Sequence, residues 1–113
     1  MAQAPIPTSP TISTHVLDTE LGGPAVGVHV TLYRILDDGR AIRMTQALTD
    51  DDGRIRDLLE RPLASGDYRL EFSLGKGTFF ERLSVDLHIS DPARSYHVPL
   101  LKSGFALSTY RGT

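Results

Sequence analysis

Apolar and polar side chains alternate with a period of two in three stretches of the chain. Val26, Val28, Val30 and Leu32 fall on one side, and His29, Thr31 and Tyr33 on the other. Tyr68, Leu70, Phe72 and Leu74 alternate with Arg69, Glu71 and Ser73. Leu83, Val85, Leu87 and Ile89 alternate with Ser84, Asp86, His88 and Ser90. Neighbouring side chains of an extended backbone point to opposite faces, so this pattern predicts antiparallel sheets with one buried and one wetted face. No segment sustains an apolar period of 3.6 residues, and no helix of ordinary length is expected.

Turn signals punctuate these runs. Leu21-Gly22-Gly23-Pro24 separates strands predicted near 11–18 and 26–36, and Asp37-Asp38-Gly39 reads as a hairpin turn into a strand near 41–48. Asp50-Asp51-Asp52-Gly53 and Ser65-Gly66-Asp67 are further turns, and Leu74-Gly75-Lys76-Gly77 precedes a strand around 79–89. Asp91-Pro92 leads to a strand near 95–101, and Ser103-Gly104 to a last one near 105–111. Short strands with regular turns make an all-β fold, a sandwich of about seven or eight strands.

Composition narrows the functional classes. With 113 residues the chain is one domain, long enough to bury a core without covalent staples. It has no cysteine, which excludes disulfides and thiolate metal sites. Its 12 basic and 14 acidic residues are dispersed, so nucleic acid is not an expected partner. No apolar run approaches the roughly 20 residues of a transmembrane span, so no membrane partner is expected. Residues 1–10 contain three prolines and no charge, and lack the basic and apolar regions of a secretory signal. They read as a flexible leader on a cytoplasmic protein, with the domain proper over 11–113.

The chemistry-bearing residues are few. Histidines occur at 15, 29, 88 and 97, widely spaced and without a His-x-x-x-His or cysteine partner, so no metal site or cofactor is expected. His29 and His88 lie on the polar face of alternating strands, where a solvated sheet residue is the plain reading. The acidic turn at 50–53 is not a calcium loop, because an EF-hand register would need acids where Leu48 and Leu59 stand. Neither a Gly-x-Ser-x-Gly elbow nor a phosphate-binding glycine loop is present. On these grounds alone the chain is a soluble β-sandwich with histidines on its strands.

Four motifs in order add a resemblance. Ile12-Ser13-Thr14-His15-Val16-Leu17-Asp18 with Gly22-Gly23-Pro24-Ala25 looks like the N-terminal signature of the 5-hydroxyisourate hydrolases, the purine-catabolic branch of the transthyretin-like family. The segment from Thr49 to Arg54, ending Asp52-Gly53-Arg54, is similar to that family's second motif, and Tyr96-His97-Val98-Pro99-Leu100-Leu101 to its third. Ser108-Thr109-Tyr110-Arg111-Gly112-Thr113 resembles its terminal Tyr-Arg-Gly-Ser.

The resemblance implies a transthyretin-like sandwich of two four-stranded sheets. It also implies a homotetramer with active sites where two dimers meet, and hydrolytic opening of 5-hydroxyisourate, an oxidation product of urate, at an acyl carbon–nitrogen bond. His15, Arg54, His97 and Thr113 match the catalytic positions. Arg54, Tyr110 and Arg111 match positions that bind substrate. Either histidine can serve as the base, since a neutral imidazole accepts a proton at pH 7. Arg54 offers a planar fork to a polarised carbonyl.

Three departures are visible. Thr113 stands where the family has serine, and 102–107 lacks the proline and tyrosine often found before the last motif. The stretch after Leu74 is too short for the family's usual helix, which is expected to be reduced or absent. The alternative is a non-catalytic small-ligand carrier on the same fold.

Overall fold

The computed structural model describes residues 9–112, so most of the expected leader and Thr113 lie outside it. Among the described residues nine strands form: β1 (Ile12–Asp18), β2 (Gly23–Pro24), β3 (His29–Ile35), β4 (Ala41–Leu48), β5 (Arg54–Ile55), β6 (Gly66–Ser73), β7 (Arg82–Ile89), β8 (Tyr96–Lys102) and β9 (Leu107–Thr109). One sheet has the order β4-β3-β6-β7. The other runs β2-β1-β8-β9, with the two-residue β5 also paired to β1. The fold is therefore the expected all-β sandwich of two sheets. No helix occurs among the described residues, and none is long and apolar enough to cross a membrane. After Leu74 the chain closes a tight turn instead, with the Leu74 amide on the Glu81 carbonyl at 2.9 Å and the Gly77 amide on the Glu81 carboxylate at 2.7 Å.

The core explains the alternation. Ile12, Thr14 and Val16 of β1 and Tyr96, Val98 and Leu100 of β8 turn inward against Val30, Leu32, Tyr68, Leu70 and Phe72 of the other sheet. Each such apolar side chain contributes about 1.5–3 kcal/mol by leaving water. Thr14 is tolerated there because its hydroxyl donates to the Val98 carbonyl at 2.6 Å. The alternate residues of β1, Ser13, His15 and Leu17, face outward, and that outward face carries the candidate site.

Several expectations are corrected in detail. β3 starts at His29 rather than near 26, leaving Val26 exposed, because Gly27 turns the backbone with a φ of 75°. Thr31 is buried although the alternation put it on the wet face. It lies in a central strand with Gln46 and Glu71 opposite it on either side, which cover it. β7 begins at Arg82 and β9 covers only Leu107–Thr109. The sheets are not purely antiparallel, since β1 and β8 run parallel. Alternation reports which face a side chain takes and carries no information on strand direction.

Candidate active site

The parallel pairing of β1 and β8 sets Ser13 beside His97, His15 beside Pro99 and Leu17 beside Leu101. On the other edge of β1, β5 sets Arg54 beside His15. His15 is thus flanked by Arg54 on one side and Pro99 on the other, with His97 one step diagonal on the same outward face. Three of the residues picked out in the sequence, His15, Arg54 and His97, meet on one surface although they come from three separate segments.

Arg54 reaches this place through a loop with narrow requirements. The Asp50 carboxylate accepts the amides of Asp52 at 2.8 Å and Arg54 at 3.0 Å, and the Gly53 amide donates to the Asp50 carbonyl at 2.9 Å. The Arg54 amide is the main reason the Asp50 carboxyl is held below the usual carboxylate range, and the Arg56 and Arg54 charges add to it. Gly53 adopts a φ of 76°, and a Cβ there would run into the Val16 carbonyl and Pro24. The Gly53 carbonyl in turn accepts the Val16 amide at 2.7 Å. Thr49, buried, donates its hydroxyl to the Ala25 carbonyl and accepts the Val28 amide, tying this loop to the β2–β3 bend.

The two imidazoles are held differently. His15 Nε2 lies 2.8 Å from the Asp52 carbonyl. A carbonyl only accepts, so Nε2 carries the proton and neutral His15 keeps its lone pair on Nδ1. His97 Nδ1 lies 2.9 Å from the Ser13 hydroxyl, which can either donate or accept. His97 is half-buried. Desolvation, then the nearby Arg54 and His15, hold its pKa below the ordinary histidine value.

The C-terminal tail crosses this surface at one residue. The Gly112 amide donates to the His97 carbonyl at 2.8 Å, and a Cβ on Gly112 would sit 2.9 Å from His97 Cδ2 and 3.2 Å from Pro99 Cγ. Glycine is the residue that permits this approach. Arg111 turns away, its guanidinium 4.9 Å from the centre of the Tyr96 ring. Together with Tyr110 it lines a cavity of about 350 Å³ against β7 rather than the groove at His97. Within one chain, therefore, Tyr110 and Arg111 are not brought to the His15–Arg54–His97 cluster, and Thr113 lies outside the described residues.

His88 is exposed and pairs with Asp67 at 2.8 Å, and His29 is exposed at the start of β3. Among the described residues, no three His, Cys, Asp or Glu side chains are grouped to hold a metal ion. Sequence reasoning did not single out Ser13, Asp50, Arg56 or Gly112 individually. Ser13 and Gly112 stood within the quoted motifs. Asp50 was visible only as an acidic turn.

An outward-facing histidine pair beside an arginine, on a sandwich of this strand order, defines a class. The solved 5-hydroxyisourate hydrolase of Klebsiella pneumoniae superposes with a TM-score of 0.79 at 34% identity, covering 91% of this chain and 99% of that one. Sea bream transthyretin in complex with thyroxine gives 0.79 at 28%, covering 88% and 92%. Among sequences, the 5-hydroxyisourate hydrolase of Salmonella typhimurium is 43% identical over 110 residues, 90% of this chain and 80% of that protein. That of Halalkalibacterium halodurans is 39% identical over 115 residues, 90% of this chain and 97% of that protein. The family model described as HIUase/Transthyretin family matches residues 12–112, and the chain belongs to that family.

Proposed function

We propose that the chain hydrolyses 5-hydroxyisourate, with His15, Arg54 and His97 as the reacting set. The observation that carries this reading is the β1–β8 pairing, which aligns both motif histidines on one outward face beside Arg54. His15, its tautomer held by the Asp52 carbonyl, takes a proton from water through Nδ1. The water oxygen bonds to the acyl carbon, and the oxyanion that forms is held by the Arg54 guanidinium. The carbon–nitrogen bond then breaks, and the departing nitrogen takes the proton that His15 had accepted, relayed by neutral His97, which gains a proton on one ring nitrogen as it gives one up from the other and whose hydroxyl partner accommodates either tautomer. The ring opens to a carboxylate and an N–H group, and no cofactor enters the balance.

The carrier alternative is disfavoured because the complete histidine–arginine set is retained. Tyr110 and Arg111 act by holding the tail, with Arg111 stacked on Tyr96 so that Gly112 crosses His97. Thr113 supplies its hydroxyl to position water.

Assembly into a homotetramer with sites shared between dimers is part of the same proposal. Leu21 and Phe105, 83% and 81% exposed, support it. They sit in turns leaving the same end of the sheet, where Asp18 and Lys102 pair. A cytoplasmic location completes the proposal and is open to cell fractionation.

The test is to generate 5-hydroxyisourate in situ with urate oxidase and to follow its ultraviolet decay. The wild type is expected to accelerate the decay. His97→Ala and Arg54→Ala are expected to lose at least about a hundredfold. Removal of residues 110–113 abolishes the acceleration, whereas Thr113→Ser retains it. A folded wild type no faster than the spontaneous reaction overturns the reading.

A further inference from the structure

The imidazole of His97 is gripped on two edges. Parallel pairing puts Ser13 directly beside it, and the Ser13 hydroxyl lies 2.9 Å from Nδ1. A hydroxyl one bond out from its Cβ meets the ring nitrogen nearer the backbone, which is Nδ1. On the opposite edge the tail passes so closely that a Cβ on Gly112 would stand 2.9 Å from Cδ2. The tail is fixed at that point, since the Gly112 amide donates to the His97 carbonyl at 2.8 Å. Nδ1 and Cδ2 are thus both covered. The far edge of the ring, which carries Nε2, is the edge presented to a reacting molecule.

The chemical type of the partner at Nδ1 matters. Ser13, Arg54 and His97 line one groove of about 220 Å³, and no carboxylate is among its described lining residues. A carboxylate at Nδ1 would only accept, which fixes the proton on that nitrogen and favours the charged ring. A serine hydroxyl donates or accepts, so it stays bonded to either neutral tautomer and brings no charge. The charged and titratable groups facing His97 are Arg54 of β5 and His15 of β1. Arg56 lines the same groove and is engaged with Asp52, and Arg111 of the tail is turned to Tyr96. None of the groups facing the ring stabilises an imidazolium.

We infer that Ser13 is a positioning residue of the reaction, holding His97 by Nδ1 so that Nε2 delivers the proton to the departing nitrogen. The inference rests on the proposed hydrolysis and deepens it. Before bond breaking, Ser13 donates to Nδ1 and the ring proton sits on Nε2. As Nε2–H gives its proton to the departing nitrogen, Nδ1 takes the Ser13 proton. The Ser13 oxygen receives in exchange the proton that His15 had taken from water. Ser13 and His15 are successive outward residues of β1, which puts the hydroxyl on the His15 side of the ring. Bonds and charge balance: one water is added across the carbon–nitrogen bond, His15 is neutral again, and His97 has exchanged tautomers. The tautomer returns through solvent once the product leaves.

The test compares three variants of the full chain, Ser13→Ala, Ser13→Thr and Ser13→Asp, with thermal melts to verify folding. In the decay assay, Ser13→Ala should lower kcat about tenfold while KM changes less than about twofold. Ser13→Thr keeps the hydroxyl and should recover most of that loss. Ser13→Asp should move the acid limb of kcat/KM upward by about one pH unit or more, because a carboxylate then supports the charged ring. Nitrogen-15 NMR of the imidazoles reads the hold directly. Wild-type His97 should carry its proton mainly on Nε2, and Ser13→Asp should shift it to Nδ1. A Ser13→Ala variant with wild-type kcat overturns the inference, as does a Ser13→Asp variant with an unmoved acid limb. A Ser13→Thr variant as slow as Ser13→Ala also overturns it. Should the wild type fail to speed ring opening, the hydrolase reading falls and the positioning role falls with it. The NMR arm then shows separately whether Ser13 still sets the His97 tautomer.

Discussion

His97 is half-buried between the Ser13 hydroxyl and Gly112, with Arg54 and His15 close enough to repel a proton. Burial and neighbouring positive charge both act against the imidazolium, so its pKa lies below the ordinary histidine value of 6.5. A histidine with a depressed pKa stays neutral as pH falls through 6.5. Only neutral His97 can relay the proton to the departing nitrogen, so the part of the acid limb of kcat/KM that His97 sets is expected below 6.5. Histidine ring-proton NMR should give the same low value for His97. In Arg54→Met the value should rise toward 6.5, because one repelling cation is gone. A His97 that titrates at or above 6.5 in the wild type would contradict this account. The sequence showed His97 as a motif histidine on a strand. Its pKa, its tautomer partner and the reason the tail needs glycine at 112 all arise from contacts between distant segments.

At the scale of elements, the 50–54 loop and β5 decide whether Arg54 reaches His15. The sequence marked this stretch as a turn, and a two-residue strand has too little alternation to be recognised. Asp50→Ala removes the acceptor of two amides and should cost about 1–2 kcal/mol of stability, with a loss of activity, whereas Asp50→Asn retains an accepting oxygen and most of both. Gly53→Ala forces a side chain into a left-handed backbone position against the Val16 carbonyl, and should cost about 2 kcal/mol or more. Urea denaturation and the decay assay measure these effects. Because the Asp50 pKa is depressed, its contribution is present above about 3.8 and is lost as pH falls through its folded value. An Asp50→Ala variant with unaltered midpoint and rate would show that the loop is held some other way.

At the scale of the molecule, an exposed aromatic and aliphatic cluster gathers at one end of the sandwich. Phe79 packs edge-on to Phe80 at 4.8 Å and lies 5.9 Å from Phe105, whose ring is largely exposed. Leu17 and Leu101 on the site-bearing face are half-buried in the single chain. Apolar surface of this kind beside the proposed reacting set fits a partner subunit. Leu21→Glu combined with Phe105→Glu should lower the mass seen by light scattering and reduce hydrolysis together. A variant of monomer mass with full activity would refute a shared site.

The sequence by itself determined the sandwich, most of its strands, the absence of the usual helix and the side chains able to carry the chemistry. Each of these follows from local rules: alternation sets the face of a residue, glycine and proline set the turns, and side-chain type sets proton and charge chemistry. Only the tertiary structure decided that β1 and β8 lie side by side and parallel, joining Ser13 to His97 across 84 positions. It also turned Arg111 toward Tyr96. The physical reason is that a strand's pattern specifies which face is buried but not its neighbour or direction. Those are settled by packing the whole core at once, and the site is built from that pairing.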